Sequence, residues 1–210
     1  MTPLLTLTQW LSPGFPTGAF ACSHGLEQVI HDGAVTDAAT LELWLTDVLR
    51  FGSGWQDAVL LVQALSPAAD REALDATARA LQPGAERLQE TLEQGAAFAR
   101  TVAAITGRGL PSRALPIAVG EAASPLGCPP EQVVALFLQA FAGNLVTIAV
   151  RHVPLGQTEG QGVLARLAPV ITEIAPRAAR ATLDGLGSST FAADLAAIRH
   201  ETKEVRLFRT

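Results

Sequence analysis

Cys22, His24 and His31 form the one close group of soft ligands in the sequence, the kind of side chains that hold a transition metal. On a helix, positions two apart point away from each other, so Cys22 and His24 do not share an ion in regular geometry. His24 and His31 fall on one face but two turns apart. The spacing therefore predicts a packed Cys22 and two surface histidines, with a metal site built from all three as the alternative. Near the other end, His200-Glu201-Thr202-Lys203-Glu204 begins like the zincin motif but carries Glu204 where the second histidine must sit. Lys203 is the only lysine and follows Thr202, so no phosphate-binding loop of glycines before a Lys-Ser or Lys-Thr pair exists. A Gly-x-Ser-x-Gly nucleophile elbow is missing. The carboxylate pairs Asp70/Glu72 and Glu90/Glu93 read as solvated helix faces. Taken together, these residues predict a chain that is not an enzyme and carries no cofactor of its own.

The chain of 210 residues is 49% hydrophobic and only 17% charged, with a formal net charge of −5. This balance argues against disorder and for one well-buried core. It also leaves more apolar surface than a monomer of this size usually shows, which suggests that a partner covers part of it. No basic block offers a footprint for nucleic acid. Cys22 and Cys128 are too few for a disulfide framework. The first positive side chain is Arg50, so the start of the chain lacks the charged region of a secretory leader, and the expected location is the cytoplasm. Val133 to Val150 runs 18 residues without a charge and reaches the length of a membrane span. Gln139, Asn144 and Thr147 interrupt it, and no basic cluster or aromatic belt flanks it, so the reading is a central buried helix and no membrane.

The elements that must position these residues are helical throughout. Thr36 or Asp37 opens a helix whose Leu41, Trp44, Leu45, Val48 and Leu49 share one face, and Gly52 and Gly54 stop it. A short apolar run from Asp57 to Leu65 follows. Ser66 as cap and Pro67 as first residue predict a helix over 68–81, and a long one is expected over 85–106. Gly107 to Pro116 reads as a loop able to move, and a short helix is expected from Ile117. Pro129-Pro130 starts the central helix, which Pro154-Leu155-Gly156 ends. Another runs from Gln157 or Thr158 to about Ile174, and Pro176 separates a shorter one ending near Leu183. The expectation is an all-α, single-domain bundle of about eight to ten helices with a central apolar helix.

Both ends differ from this interior. Leu11 to Phe20 packs two prolines, two glycines and two phenylalanines into ten residues, too irregular for a helix and too apolar for a solvated linker. The stretch from Gly185 finishes in Arg206-Leu207-Phe208-Arg209, side-chain types favoured at protein contacts. The division expected is a helical domain over 1–184, including an N-terminal interaction segment over 1–35, and a protruding C-terminal docking tail over 185–210.

The segment Leu11 to Glu27, through Pro16, Phe20 and Gly25-Leu26-Glu27, resembles the opening motif of the UreF family of urease accessory proteins. Val35-Thr36-Asp37 follows in the family's order. Gln139 to Asn144 resembles its central helix, Pro154 to Gln161 is similar to its internal motif, and Arg199 through Arg209 looks like its C-terminus. The resemblance implies an all-helical, non-catalytic scaffold that dimerises and binds UreD (called UreH in some organisms). It further implies recruitment and modulation of the GTPase UreG and delivery of nickel to apo-urease. Pro16, Phe20 and Glu27 match the N-terminal motif linked to dimerisation and partner contact. Arg206 matches an arginine linked to UreG recruitment. His200, Glu201, Leu207, Phe208 and Arg209 match a tail that docks on UreD. Cys22 stands where many members have tyrosine, and Ala21 replaces a serine. The alternative from the opening residues becomes a chaperone that holds nickel itself through Cys22, His24 and His31.

Overall fold

The computed structural model describes residues 2–210, so the first residue of the expected 1–184 domain lies outside the description. Among the described residues the chain is all-α, with ten α-helices and no strand. They are α1 (Thr2–Trp10), α2 (Leu26–His31), α3 (Ala38–Phe51), α4 (Ser53–Leu65), α5 (Arg71–Ala80), α6 (Ala85–Thr106), α7 (Leu115–Ala123), α8 (Pro130–His152), α9 (Gln157–Ala178) and α10 (Phe191–His200).

The core forms around α8. Its Val133, Val134, Leu138, Ala142, Leu145 and Ala149 are buried against α9, α4, α3 and α2, so the uncharged stretch becomes the axis of the bundle. By length and composition α8 is able to cross a membrane, and half of its most apolar 18-residue window is buried inside the chain. Asp37 caps α3, accepting a hydrogen bond from the Thr40 amide at 2.9 Å.

Three local expectations are corrected. Ser66-Pro67 makes a turn, and α5 starts later, where the Asp70 carboxylate accepts from the Ala73 amide at 3.0 Å. Pro176 does not divide the ninth helix, which runs through both Pro169 and Pro176. Ile171, Ile174, Ala175 and Ala178 bury the face on either side of Pro176, and that packing outweighs the roughly 3 kcal/mol an interior proline costs. The 107–114 loop is tied down rather than free: Ala114 donates to Asp75 at 2.6 Å, and the Arg113 guanidinium bonds Glu121 at 3.1 Å. Gly95 on α6 makes the crossing possible, since a Cβ there would overlap the Arg113 carbonyl.

The C-terminal tail does not protrude. It folds back across α2, α6 and the end of α8, burying Phe208 and Thr210. The physical reason is that α2 and α6 present carboxylates where the tail presents backbone amides, His200 and two arginines.

Candidate functional site

Four carboxylates hold the tail. Glu27, on the one-and-a-half turns of α2, is 3% exposed and accepts from the Leu207 amide at 3.1 Å, the Phe208 amide at 2.9 Å and His200 Nε2 at 3.2 Å. Burial alone would raise its pKa; the two amides and His200 more than reverse that and hold it below the ordinary glutamate value. Glu86, Glu90 and Glu93 recur at four- and three-residue spacing on one face of α6. Glu86 takes His200 Nδ1 at 2.7 Å and pairs with Arg206. Glu90 accepts from the Thr210 hydroxyl at 2.6 Å, and Glu93 pairs with Arg209 at 2.9 Å. Glu201 returns the favour from the tail side, accepting the Glu86 amide at 3.1 Å and so capping α6, whose Gly84 has no side chain to do it.

The tail also meets the N-terminal segment. Arg209 donates its amide to the Ala21 carbonyl at 2.8 Å, and the Ser23 amide donates to the Thr210 carbonyl at 2.8 Å. Gly25 sits at φ 78°, and a Cβ there would lie 2.9 Å from the Ala197 nitrogen of α10, so glycine is required for both its conformation and its closeness. The Phe208 ring is clasped by the end of α8, edge-on to His152 at 5.5 Å and under the Arg151 guanidinium at 5.2 Å.

The proline- and glycine-rich segment is anchored by Phe15 and Trp10, whose rings lie 5.4 and 6.1 Å from Phe98 of α6. Asn144 of α8 donates to the Ala19 carbonyl at 3.0 Å and fixes the turn at Ala19–Ala21. That turn presents Phe20 to solvent, 70% exposed, with Pro16 exposed beside the same segment.

The named residues thus divide in two. Glu27, His200 and Phe208 are buried inside the chain, and Glu201 is partly covered as the α6 cap. Pro16, Phe20, Arg206, Leu207 and Arg209 remain at the surface, although Arg206 and Arg209 already hold Glu86 and Glu93. Sequence reasoning missed the partners. Glu90 is buried and not on a solvated face as expected. The acidic stripe at Glu86, Glu90 and Glu93 was the available signal, matched by His200, Arg206 and Arg209 in the tail.

Cys22, His24 and His31 are not brought together. His31 is exposed, whereas His24, expected at the surface, is buried at φ 59° with Nε2 2.6 Å from Ser53 Oγ and Nδ1 3.4 Å from Glu90. Burial, with Arg87 nearby, lowers its pKa to about 4. Cys22 is packed as expected, and burial followed by Glu90 pushes its thiol up, away from the thiolate that binds metal. Among the described residues no group of three His, Cys, Asp or Glu has the arrangement of a metal site. The nickel-holding alternative loses its ligand set.

Beneath the N-terminal segment lies a cavity of about 420 Å³, bounded by that segment and by α4, α6, α7 and α8. Its lining mixes aromatic and aliphatic side chains with ten polar ones, of which the charged or titratable members are His24, Asp57, Arg87 and Glu90. Arg87 and Glu90 form a buried ion pair.

Comparison with known proteins gives a consistent result. The UreF family model matches residues 35–168. A urease accessory protein UreF of Cereibacter sphaeroides is 63% identical over 207 residues, covering 99% of this chain and 98% of that relative. Proteins of the same description from Paracoccus denitrificans and Roseobacter denitrificans are 53% and 51% identical, each over 98% of this chain and 95% and 93% of their own length.

Proposed function

Because this chain belongs to the UreF family of urease accessory proteins, we propose that it is a non-catalytic scaffold presenting a contact surface built from its two extremities. On this reading it dimerises, binds UreD (UreH), and through that complex recruits and modulates the GTPase UreG while nickel is inserted into apo-urease. It works in the cytoplasm, with neither nucleic acid nor membrane as partner and no cofactor of its own.

The observation that carries the reading is the joining of the two ends. The Ala21–Arg209 and Ser23–Thr210 backbone bonds place the segment bearing Phe20 beside the tail bearing Arg206 and Leu207. Phe20 is 70% and Leu207 69% exposed, large apolar side chains held outward by buried anchors next to them, Phe15 and Phe208. Glu27, His200 and Phe208 then serve the partner surface indirectly, by fixing the tail's path. Pro16 stiffens the approach to Phe20.

Co-purification with UreD and UreG tests this. Phe20→Ser is expected to lose self-association and reduce UreD capture, and Arg206→Ala to retain UreD but lose UreG. Since Arg206 holds Glu86, Glu86→Gln separates two roles. If both variants lose UreG, Arg206 acts by placing the tail; if only Arg206→Ala does, its guanidinium meets UreG. Unchanged capture of both partners by Phe20→Ser and Arg206→Ala would overturn the proposed surface.

A further inference from the structure

The cavity under the N-terminal segment has a floor that the scaffold reading leaves unused. Asp57 of α4 lines it, and its carboxylate accepts no hydrogen bond from any described residue. The other titratable groups around the cavity are already engaged. Arg87 is paired with Glu90, Glu90 also takes the Thr210 hydroxyl, and both ring nitrogens of His24 have partners. Apart from Asp57 on α4, Arg87 and Glu90 on α6, and His24 of the segment, no charged or titratable side chain lines the space from any element, α7 and α8 included. Burial raises the Asp57 pKa to about 7, with Glu90 adding to the rise and Arg87 opposing it.

The walls set the rest of the chemistry. Trp10, Phe15, Phe98, Phe137 and Phe141 all border the cavity. An anionic ligand would meet Asp57 and Glu90 with Arg87 already taken. A metal ion lacks a ligand cluster. A wholly apolar ligand would strip water from the Asp57 carboxylate and return no hydrogen bond. A cation on an apolar body suits the floor and the rings: its N–H groups pair with Asp57, and its positive charge faces aromatic side chains. We propose that this cavity is a binding site for a small organic ammonium ion, with Asp57 as its counter-ion and the aromatic walls as its sleeve.

Calorimetric titration of the full chain with phenethylammonium at pH 8 tests the assignment, beside the neutral isostere 2-phenylethanol and the side-chain amine of N-acetyl-lysinamide. Saturable binding of phenethylammonium is expected, weaker by at least about tenfold in Asp57→Asn, which keeps shape and removes charge. Affinity should also fall on the order of tenfold between pH 8 and pH 5.5, as Asp57 takes up a proton, with no such loss in the variant. Circular dichroism of Asp57→Asn checks that the fold is retained; if it is not, the pH series on the unmodified chain decides alone. Absence of saturable binding, equal binding by Asp57→Asn, or equal binding of 2-phenylethanol would overturn the proposal. Binding of N-acetyl-lysinamide without phenethylammonium would reassign the cavity to a partner's lysine and overturn it as well.

Discussion

Glu27 in the tail clasp is buried and Asp57 on the cavity floor is partly buried, yet their proton affinities move in opposite directions. Burial pushes each upward; two backbone amides and His200 pull Glu27 below its ordinary value, while Asp57, without such donors, rises to about 7. The lesson is that desolvation alone does not decide the charge of an acid. The donors the fold aims at it do. One region is a closed polar network that contributes to stability, and the other holds an acid whose ionised form opposes folding.

Breaking the closed region should have the largest effect. Glu27→Ala leaves the Leu207 and Phe208 amides and His200 facing a void, and is expected to cost about 3–5 kcal/mol in urea unfolding at pH 7.5. Hydrogen exchange of those two amides should rise first. Next comes acid sensitivity at the boundary between the regions. His24 has a folded pKa near 4 against 6.5 when unfolded, so the unfolded chain gains its proton first. Its contribution is complete above pH 6.5 and lost as pH falls to 4. Relative to His24→Gln, the natural chain should therefore lose about 3 kcal/mol across that window, measured by thermal melts at fixed ionic strength.

Relieving the open region gives the opposite sign. Asp57 has a raised folded pKa, so its ionised form is penalised as pH climbs from about 4 to 7. Asp57→Asn should be more stable than the natural chain by on the order of 2 kcal/mol at pH 8, with the difference closing near pH 4. Smallest of all is Phe20→Ser, a largely exposed position at the cavity's edge, which should change stability by about 0.5 kcal/mol or less while altering self-association seen by light scattering.

Much of the bundle is legible in local spacing: the Asp37 cap, the uncharged length of α8, and the glycine at the end of α3. The misses share one cause. Pro176 reads as local punctuation, but the burial of Ile171 and Ile174 against other helices overrides it. Ser66 lost the cap to Asp70 because an aspartate four residues on was free to do the same work. The unusual composition of the two ends marked them as contact regions. What each contacts was hidden, because Glu86 and Arg206 are 120 residues apart and only folding puts them together. Asp57 gave no signal at all: it stood at the start of an apolar run, and nothing local says that no donor reaches it.

Helix α8 touches both extremities, Asn144 at the Ala19 carbonyl and His152 at the Phe208 ring. Those residues are separated by eight positions on one rigid rod, about 12 Å of axial rise. The distance between the outward turn and the tail anchor is thus a ruler length set by backbone geometry, insensitive to side-chain exchanges elsewhere on α8. Inserting a single residue between positions 144 and 152 would rotate one grip about 100° away from the other, a phase error that no repacking nearby repairs.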